Sequence, residues 1–208
     1  MDSDKLYSDL IGYISSVETR YLVPHLANLM EEPNEYELDV KSYCVLCHAA
    51  FEEFAENIAL ETMLFAIDSF VNGLKISLPL IQLLHFKGKS TSLEEIDSTH
   101  YEYIRLQLQD IKKDFSKEIT IQNHGVSLKY LRQLLIPVGI AIPQNAIWLN
   151  SLDMLAQARG AYAHKYSKGK VQKNLAPEDA KNIVFDVLLL MEKIKDNVKS
   201  LWFFRYTI

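Results

Sequence analysis

The chain has 208 residues, of which 49% are hydrophobic and 24% charged, so its length and composition fit a single globular domain. Its formal net charge of -5 excludes binding to nucleic acid through overall basic charge, and any phosphate contact must come from a local patch. The two cysteines, Cys44 and Cys47, are too few for a secreted disulfide scaffold. The first residues do not resemble an export signal, and no apolar run reaches the roughly 20 residues that span a bilayer. We therefore expect a cytoplasmic protein with reduced thiols and no membrane contact.

Apolar residues recur at spacings of three and four along most of the chain, and this pattern predicts helices throughout. In chain order, the predicted helices cover residues 4–30, 40–72, 77–86, 100–117, 128–137, 146–166 and 177–200. The stretch "EEPNEYE" at 31–37 predicts a turn, and residues 118–127 predict a break with room for a short extended piece. We find no internal repeat and no linker. The sequence therefore predicts one all-α domain over 1–208, a bundle of long antiparallel helices.

Several residues mark the predicted helix ends. Ser3 is a plausible cap for the first helix, and Pro24 predicts a kink or a break in it. Gly73 predicts the end of the long second helix. Ser92 and Glu95 have the spacing of a capping box and predict the start of the next long helix.

The stretch "CVLCH" at 44–48 matches the C-x-x-C-H pattern of covalent haem attachment. That chemistry needs two exposed thiols and an axial histidine, whereas this stretch lies within an apolar helical run and has no clear second axial ligand. A second pair of zinc ligands at suitable spacing is also missing from the sequence. We interpret both cysteines as core residues, and we expect no metal and no cofactor.

The helix predicted before the lysine-rich loop carries an arginine within its apolar stripe. Arg159 comes after Trp148, Leu152 and Leu155, and Tyr162 and Tyr166 follow it. Arginine is rarely buried without a partner, so this position needs an explanation. One interpretation is that the helix end reaches the surface and Arg159 extends its charge into water. His164 would then interact favourably with the negative end of the helix dipole.

The surrounding charge favours a functional interpretation. The chain has no acidic residue between Met154 and Pro177. The cations of this basic segment are Arg159, Lys165, Lys168, Lys170 and Lys173. Such a segment attracts phosphates. A histidine transfers protons near neutral pH, and an arginine holds a phosphate through two parallel hydrogen bonds. Together they are the groups that RNA cleavage by the 2′-hydroxyl requires, without any metal.

The stretch "ARGAYAH" resembles the R-x(4–6)-H motif of the HEPN superfamily, all-α proteins that include metal-independent RNases. "WLNSLDMLAQARGAYAHKYSKG" is similar to that superfamily's penultimate helix, and "APEDAKNIVFDVLLLMEKI" to its closing helix. "YCVLCHAAFEEFAENIA" is similar to the early helix that carries an acidic residue, here Glu52. The order of elements, including "SLKYLRQLLIPVGI", resembles the RiboL-PSP branch. The resemblance covers residues 40–200, and residues 1–39 are expected to add an N-terminal helix that packs on this core.

The resemblance implies an endoribonuclease that works at a composite site between two copies of the chain. His164 is expected to act in general acid–base catalysis, and Arg159 to stabilise the charge that develops at phosphorus. Glu52 is expected to orient Arg159 or His164. In this chain Gly160 stands where relatives usually have a polar residue after the arginine. Gly160 either removes a hydrogen bond that orients Arg159 or gives the helix a place to bend.

Further expectations concern partners. Tyr162, Lys165 and Lys168 are expected to contact RNA, although Tyr162 has the spacing of a core residue. The resemblance implies a homodimer and a role in prokaryotic defence or in a toxin–antitoxin system, with an antitoxin or nucleotidyltransferase-like partner. Two alternatives stay open. One is a non-catalytic HEPN module that binds a partner protein or a nucleotide, and the other is an unrelated helical adaptor with surface residues at the motif.

Overall fold

The computed structural model describes residues 2–27, 32–89, 99–121, 125–164 and 175–201, and the side chains of all of these except residues 120 and 161–164. The helices are α1 (Ser3–Tyr21), α2 (Val23–Leu26), α3 (Pro33–Gly73), α4 (Leu78–Lys87), α5 (His100–Ile121), α6 (Leu128–Leu135), α7 (Ala146–His164) and α8 (Pro177–Leu201). A short 3-10 turn, Ile136–Val138, follows α6 directly. These ranges contain no β-strand. The prediction of an all-α fold is confirmed.

The first helix begins with a different cap from the predicted one and ends earlier. The side chain of Asp2 accepts a hydrogen bond from the backbone N–H of Lys5, whereas Ser3 is buried inside α1. The predicted break near Pro24 is confirmed, because α1 ends at Tyr21 and Pro24 lies in the first turn of α2. A proline is tolerated there because the first-turn N–H groups have no acceptor within the helix.

The predicted turn at 31–37 is wrong, because α3 begins within it at Pro33. Glu32 and Glu35 form a reciprocal capping box, in which the backbone N–H of Glu32 donates to the Glu35 carboxylate at 2.9 Å. The predicted end at Gly73 is confirmed. Leu74 follows in the left-handed conformation, with φ of 51°, and its N–H donates to the carbonyl of Phe70.

The middle of the chain is more helical than predicted. Helix α5 continues past residue 117 to Ile121 because Ile119 is still a core position, 3% exposed. The expected extended piece is therefore wrong for residues 118–121. Helix α6 ends before Pro137, which lies in the 3-10 turn. The predicted capping box of Ser92 and Glu95 lies outside the described residues.

Helix α3 is the centre of the bundle and packs against α1, α4, α5, α6, α7 and α8. Its fully buried side chains include Tyr43, Phe51, Ile58 and Met63. Cys44 and Cys47 belong to the same core with no exposed surface, which confirms their interpretation as core residues. Burial raises the pKa of the Cys44 thiol to about 12, so it stays protonated and unreactive at neutral pH.

Ion pairs show how the N-terminal helix lies on the bundle. Asp4, at the start of α1, pairs with Lys199 near the end of α8 at 2.6 Å. Glu18, near the end of α1, pairs with Lys181 near the start of α8 at 2.8 Å. The two helices therefore run antiparallel, as predicted for the long helices.

Within the described ranges, no single helix has the length and apolar character needed to cross a membrane. By length and composition alone, α3 and α4 would qualify as a pair, bent by 107° where they meet. Most of the apolar side chains of α3 are already buried in the bundle. The same described residues contain no group of three or more His, Cys, Asp or Glu that could hold a metal ion.

Candidate functional site

Helix α7 holds Arg159 on a stripe that otherwise belongs to the core. Asn145 caps the helix by accepting hydrogen bonds from two backbone N–H groups of its first turn, at 2.9 and 3.2 Å. Leu152 and Leu155 on this stripe are fully buried, and Arg159 follows one turn later as a half-buried residue. Arg159 therefore follows the fully buried positions of this stripe by one turn, and part of its side chain is removed from water.

The charge of Arg159 acts on a histidine of the neighbouring helix α3. That residue is His48, which is 2% exposed. Burial is the main reason why the pKa of His48 falls to about 4, and the positive charge of Arg159 lowers it further. At neutral pH the imidazole is therefore uncharged.

His48 and Glu52 lie one turn apart on α3, are both buried, and bind two successive backbone amides of one loop. The N–H of Val126 donates to Nε2 of His48 at 3.1 Å. The N–H of Gly125 donates to Oε1 of Glu52 at 2.8 Å. Buried backbone amides need such partners, and here two side chains of the central helix supply them. We call these two side chains the loop anchor.

Gly125 is the residue that allows the loop to approach the anchor so closely. Its φ of +79° lies in the left-handed region that favours glycine. A Cβ at this position would be 2.9 Å from Cε1 of His48, closer than real Cβ contacts. Only a glycine fits both the conformation and the space.

The hydrogen bond to Val126 also fixes the state of the His48 ring. Because Nε2 accepts a hydrogen bond from the amide N–H, it carries no proton itself, and the neutral ring has its proton on Nδ1. A ring held this way, and with so low a pKa, is suited to fixing geometry rather than to carrying protons near pH 7.

Comparison with protein families gives one match, to the family model described as RiboL-PSP-HEPN, over residues 9–200. The chain belongs to the RiboL-PSP-HEPN family. The matched region begins within α1, so it extends further toward the N-terminus than the resemblance seen from 40 onwards. Comparisons with curated proteins and with solved structures gave no significant match.

Two of the residues that the HEPN resemblance singles out, Glu52 and Arg159, lie on α3 and α7, which pack against each other. Arg159 on α7 acts on His48, and Glu52 lies one turn after His48 on α3. The described hydrogen bond of Glu52 goes to the Gly125 amide, so its contact with Arg159 or His164 stays a prediction. Glu52 therefore serves at least to hold the loop before α6.

The remaining predicted residues of the HEPN motif region are placed only in part. His164 and Tyr162 lie in α7, where their side chains are not described, and Lys165 and Lys168 lie outside the described residues. Helix α7 continues through Gly160 to His164. On a regular helix, five positions correspond to about 7.5 Å along the axis and about 140° around it. Positions 159 and 164 therefore do not share one face of α7.

Lack of space does not explain why position 160 is a glycine, because a Cβ added there would meet no atom within 4 Å. Its φ is also not in the left-handed region, since the positive-φ glycines among the described residues are Gly125 and Gly139. Position 160, where HEPN relatives usually have a polar residue, is therefore an ordinary helical position with free space beside it.

Sequence reasoning missed His48, Gly125 and Val126. The C-x-x-C-H pattern points to His48 only as a metal or haem ligand, and its hydrogen-bond partner Val126 lies 78 residues away in the chain. The available signal was a histidine four residues before a glutamate on the buried face of a helix, because such a pair needs hydrogen-bond partners.

Proposed function

We propose that this HEPN protein is a metal-independent endoribonuclease that cleaves RNA at a composite site between two copies of the chain. The HEPN superfamily includes RNases, and the chain carries the R-x4-H pattern on the helix before the last one. The observation that carries the proposal is the position of Arg159. It is a half-buried cation one turn after the fully buried Leu155 of α7, and its charge contributes to lowering the pKa of the buried His48.

The chemistry needs only proton transfer and charge stabilisation. A base removes the proton of the ribose 2′-hydroxyl, and the oxygen attacks the adjacent phosphorus. The bond to the 5′-oxygen breaks, that oxygen receives a proton from an acid, and a 2′,3′-cyclic phosphate remains. In the proposal His164 acts in these proton transfers, and Arg159 stabilises the extra negative charge on the phosphoryl oxygens.

Both the helix geometry and the number of proton-transfer groups favour a site made by two chains. The reaction needs a base and an acid, whereas the motif of one chain has one histidine. Positions 159 and 164 are also about 140° apart around a regular helix, so they do not share one face of α7. A two-fold axis that brings two α7 ends together supplies two of each residue in one cleft. Tyr162, Lys165 and Lys168 would contact the RNA from the same region.

Cleavage of single-stranded RNA in EDTA tests the proposal, with Arg159→Ala and His164→Ala as the informative variants. Each is expected to slow cleavage by about 100-fold or more. Arg105→Ala and His85→Ala remove the same residue types from exposed positions of α5 and α4, and they should leave the rate unchanged. Cleavage that EDTA abolishes would contradict the proposal, as would a His164→Ala variant that cleaves at the wild-type rate.

The dimer is tested by sedimentation. A chain of 23.9 kDa that forms the composite site should sediment at twice that mass at the concentrations used for cleavage. A protein that cleaves RNA while sedimenting at the mass of one chain would contradict a shared site.

The biological setting we propose is prokaryotic defence or a toxin–antitoxin system, with an antitoxin or nucleotidyltransferase-like protein as partner. Growth arrest on expression that Arg159→Ala relieves is the expected result. Equal toxicity of both proteins would contradict it.

A non-catalytic HEPN module is the second candidate, favoured by Gly160. Because glycine has no side chain, no polar group follows Arg159 to orient it. In that case the purified dimer would bind RNA or a nucleotide without cleaving it, and Gly160→Asn would not create activity.

A further inference from the structure

We propose that a groove between α1 and α3 is the docking site of the stretch "WFFRYTI" at 202–208 of the same chain. This stretch, which we call the aromatic tail, follows α8 and lies outside the described residues. The proposal does not depend on RNase activity. Two features support it: a groove with an apolar floor and unpaired carboxylates, and an apolar, cationic segment that begins near one end of that groove.

The groove has a volume of about 370 Å³. On its α1 side it is lined by positions 6, 9, 10 and 13, which share one face of a helix. On the α3 side, Ala49 and Ala50 have short side chains, and the space that they leave forms part of the groove. Ligand sites have volumes of roughly 300–1,000 Å³, so this groove suits a few side chains of a short segment rather than a folded partner.

The floor of the groove is apolar. Leu10 of α1 and Phe54 of α3 line it and are 5% and 4% exposed, and Leu6 beside them is half-buried. Tyr13 also lines the groove, and 45% of its surface is exposed. An occupant of this groove therefore needs apolar or aromatic side chains.

Each side of the groove carries one exposed carboxylate, Asp9 on α1 and Glu53 on α3. Within the described part of the chain, neither of them has an ion pair or a side-chain hydrogen bond. The other acidic residues of α1, Asp4 and Glu18, are paired with lysines of α8. Carboxylates repel phosphates and attract cations, so the groove favours an occupant with a positive charge and disfavours RNA.

The aromatic tail has the composition that this groove requires. Four of its residues are aromatic, and its one charged side chain is that of Arg205. An aromatic side chain buries about 150–250 Å² when it packs, so such a segment gains much from an apolar surface. The guanidinium of Arg205 would supply the cation that Asp9 and Glu53 lack.

The tail begins close enough to reach the groove. Leu201, the last residue of α8, is 9% exposed, and Lys199 just before it pairs with Asp4 of α1 at 2.6 Å. The end of α8 therefore lies beside the first turn of α1, next to the groove residue Leu6. Seven extended residues span at most about 25 Å. The α1 side of the groove, from Leu6 to Tyr13, is about 10 Å long.

Disulfide cross-linking of the full chain tests the proposal. Ala49→Cys combined with Phe204→Cys should form a cross-link within one chain on mild oxidation of dilute protein, because a disulfide requires Cα atoms within about 7 Å. The native Cys44 and Cys47 have no exposed surface and should not compete. As a matched control, Lys113→Cys on the exposed side of α5 combined with Phe204→Cys should not cross-link.

Three cross-linking results would overturn the proposal. The first is a cross-link between two chains, because the groove would then hold the tail of a second copy. The second is the absence of any cross-link with Ala49→Cys. The third is equal cross-linking of the control pair, because the tail would then have no preferred site.

A second test examines the charge pairing. In Trp148→Phe, Trp202 is the one remaining tryptophan, and its quenching by acrylamide measures its exposure. Adding Arg205→Glu should weaken docking by about two- to fivefold, which is the worth of one exposed ion pair, and should raise the quenching. Asp9→Lys should then restore protection, whereas Asp68→Lys, on α3 outside the groove, should not.

Two quenching results would contradict the proposal. One is a Trp202 that acrylamide quenches as fully as free tryptophan before Arg205 is changed. The other is protection that Arg205→Glu leaves unchanged, or that neither Asp9→Lys nor Glu53→Lys restores. Either result would leave the proposed RNase function untouched, because no residue of the HEPN motif is altered.

Discussion

Lowering the pH from 7 to 5 should destabilise this protein through His48. Its pKa is about 4 in the folded chain against about 6.5 for an unperturbed histidine. Between pH 6.5 and pH 4 the unfolded chain binds a proton on His48 that the folded chain does not bind, so the free energy of unfolding falls as the pH falls. A shift of this size corresponds to about 3 kcal/mol in full, of which about 2 kcal/mol is lost between pH 7 and 5.

Urea unfolding of the wild type and of His48→Gln at both pH values measures this effect. Glutamine does not titrate, and other groups titrate in both proteins, so the difference between the two pH effects isolates His48. The wild type should lose about 2 kcal/mol more than the variant, a shift of about 1 M in the urea midpoint. Equal losses in the two proteins would refute the buried, neutral state of His48.

Three further substitutions test the structure at single positions by urea unfolding at pH 7. Gly125→Ala should cost about 2 kcal/mol or more, because its φ is positive and the new Cβ meets His48; unchanged stability would contradict the loop geometry. Gly160→Ala should add about 0.5–1 kcal/mol, since alanine is the better helix former and the space is free. A loss there would show that α7 is not regular at Gly160. Ser151→Ala removes the 2.7 Å hydrogen bond from its hydroxyl to Asp186, between α7 and α8, and should cost about 1–3 kcal/mol. A neutral result would mean that water replaces this bond.

Local patterns in the sequence predicted most of the helical architecture. The apolar spacing correctly predicted where the last two helices begin, at residues 146 and 177. The start of α3 differs from the prediction because a proline fits the first turn of a helix as well as it fits a turn. Its capping box, Glu32 with Glu35, uses a glutamate cap in place of the usual serine or threonine.

Only those residues of the candidate site that break the pattern of their own helix could be predicted from the sequence. Arg159 stood out because a cation interrupts a stripe of core residues on α7. The role of His48 depends on amides of a loop 78 residues away, and no local pattern encodes that contact. Gly125 was likewise informative only once the fold had placed it against the imidazole.

The central claim is that Arg159 and His164 cleave RNA without a metal, and end-group analysis of the products tests it most directly. In EDTA the wild type should produce fragments with 2′,3′-cyclic phosphate and 5′-hydroxyl ends. Arg159→Ala and His164→Ala should produce them about 100-fold more slowly or not at all. Products with 5′-phosphate ends, or equal cleavage by the wild type and both variants, would contradict the account.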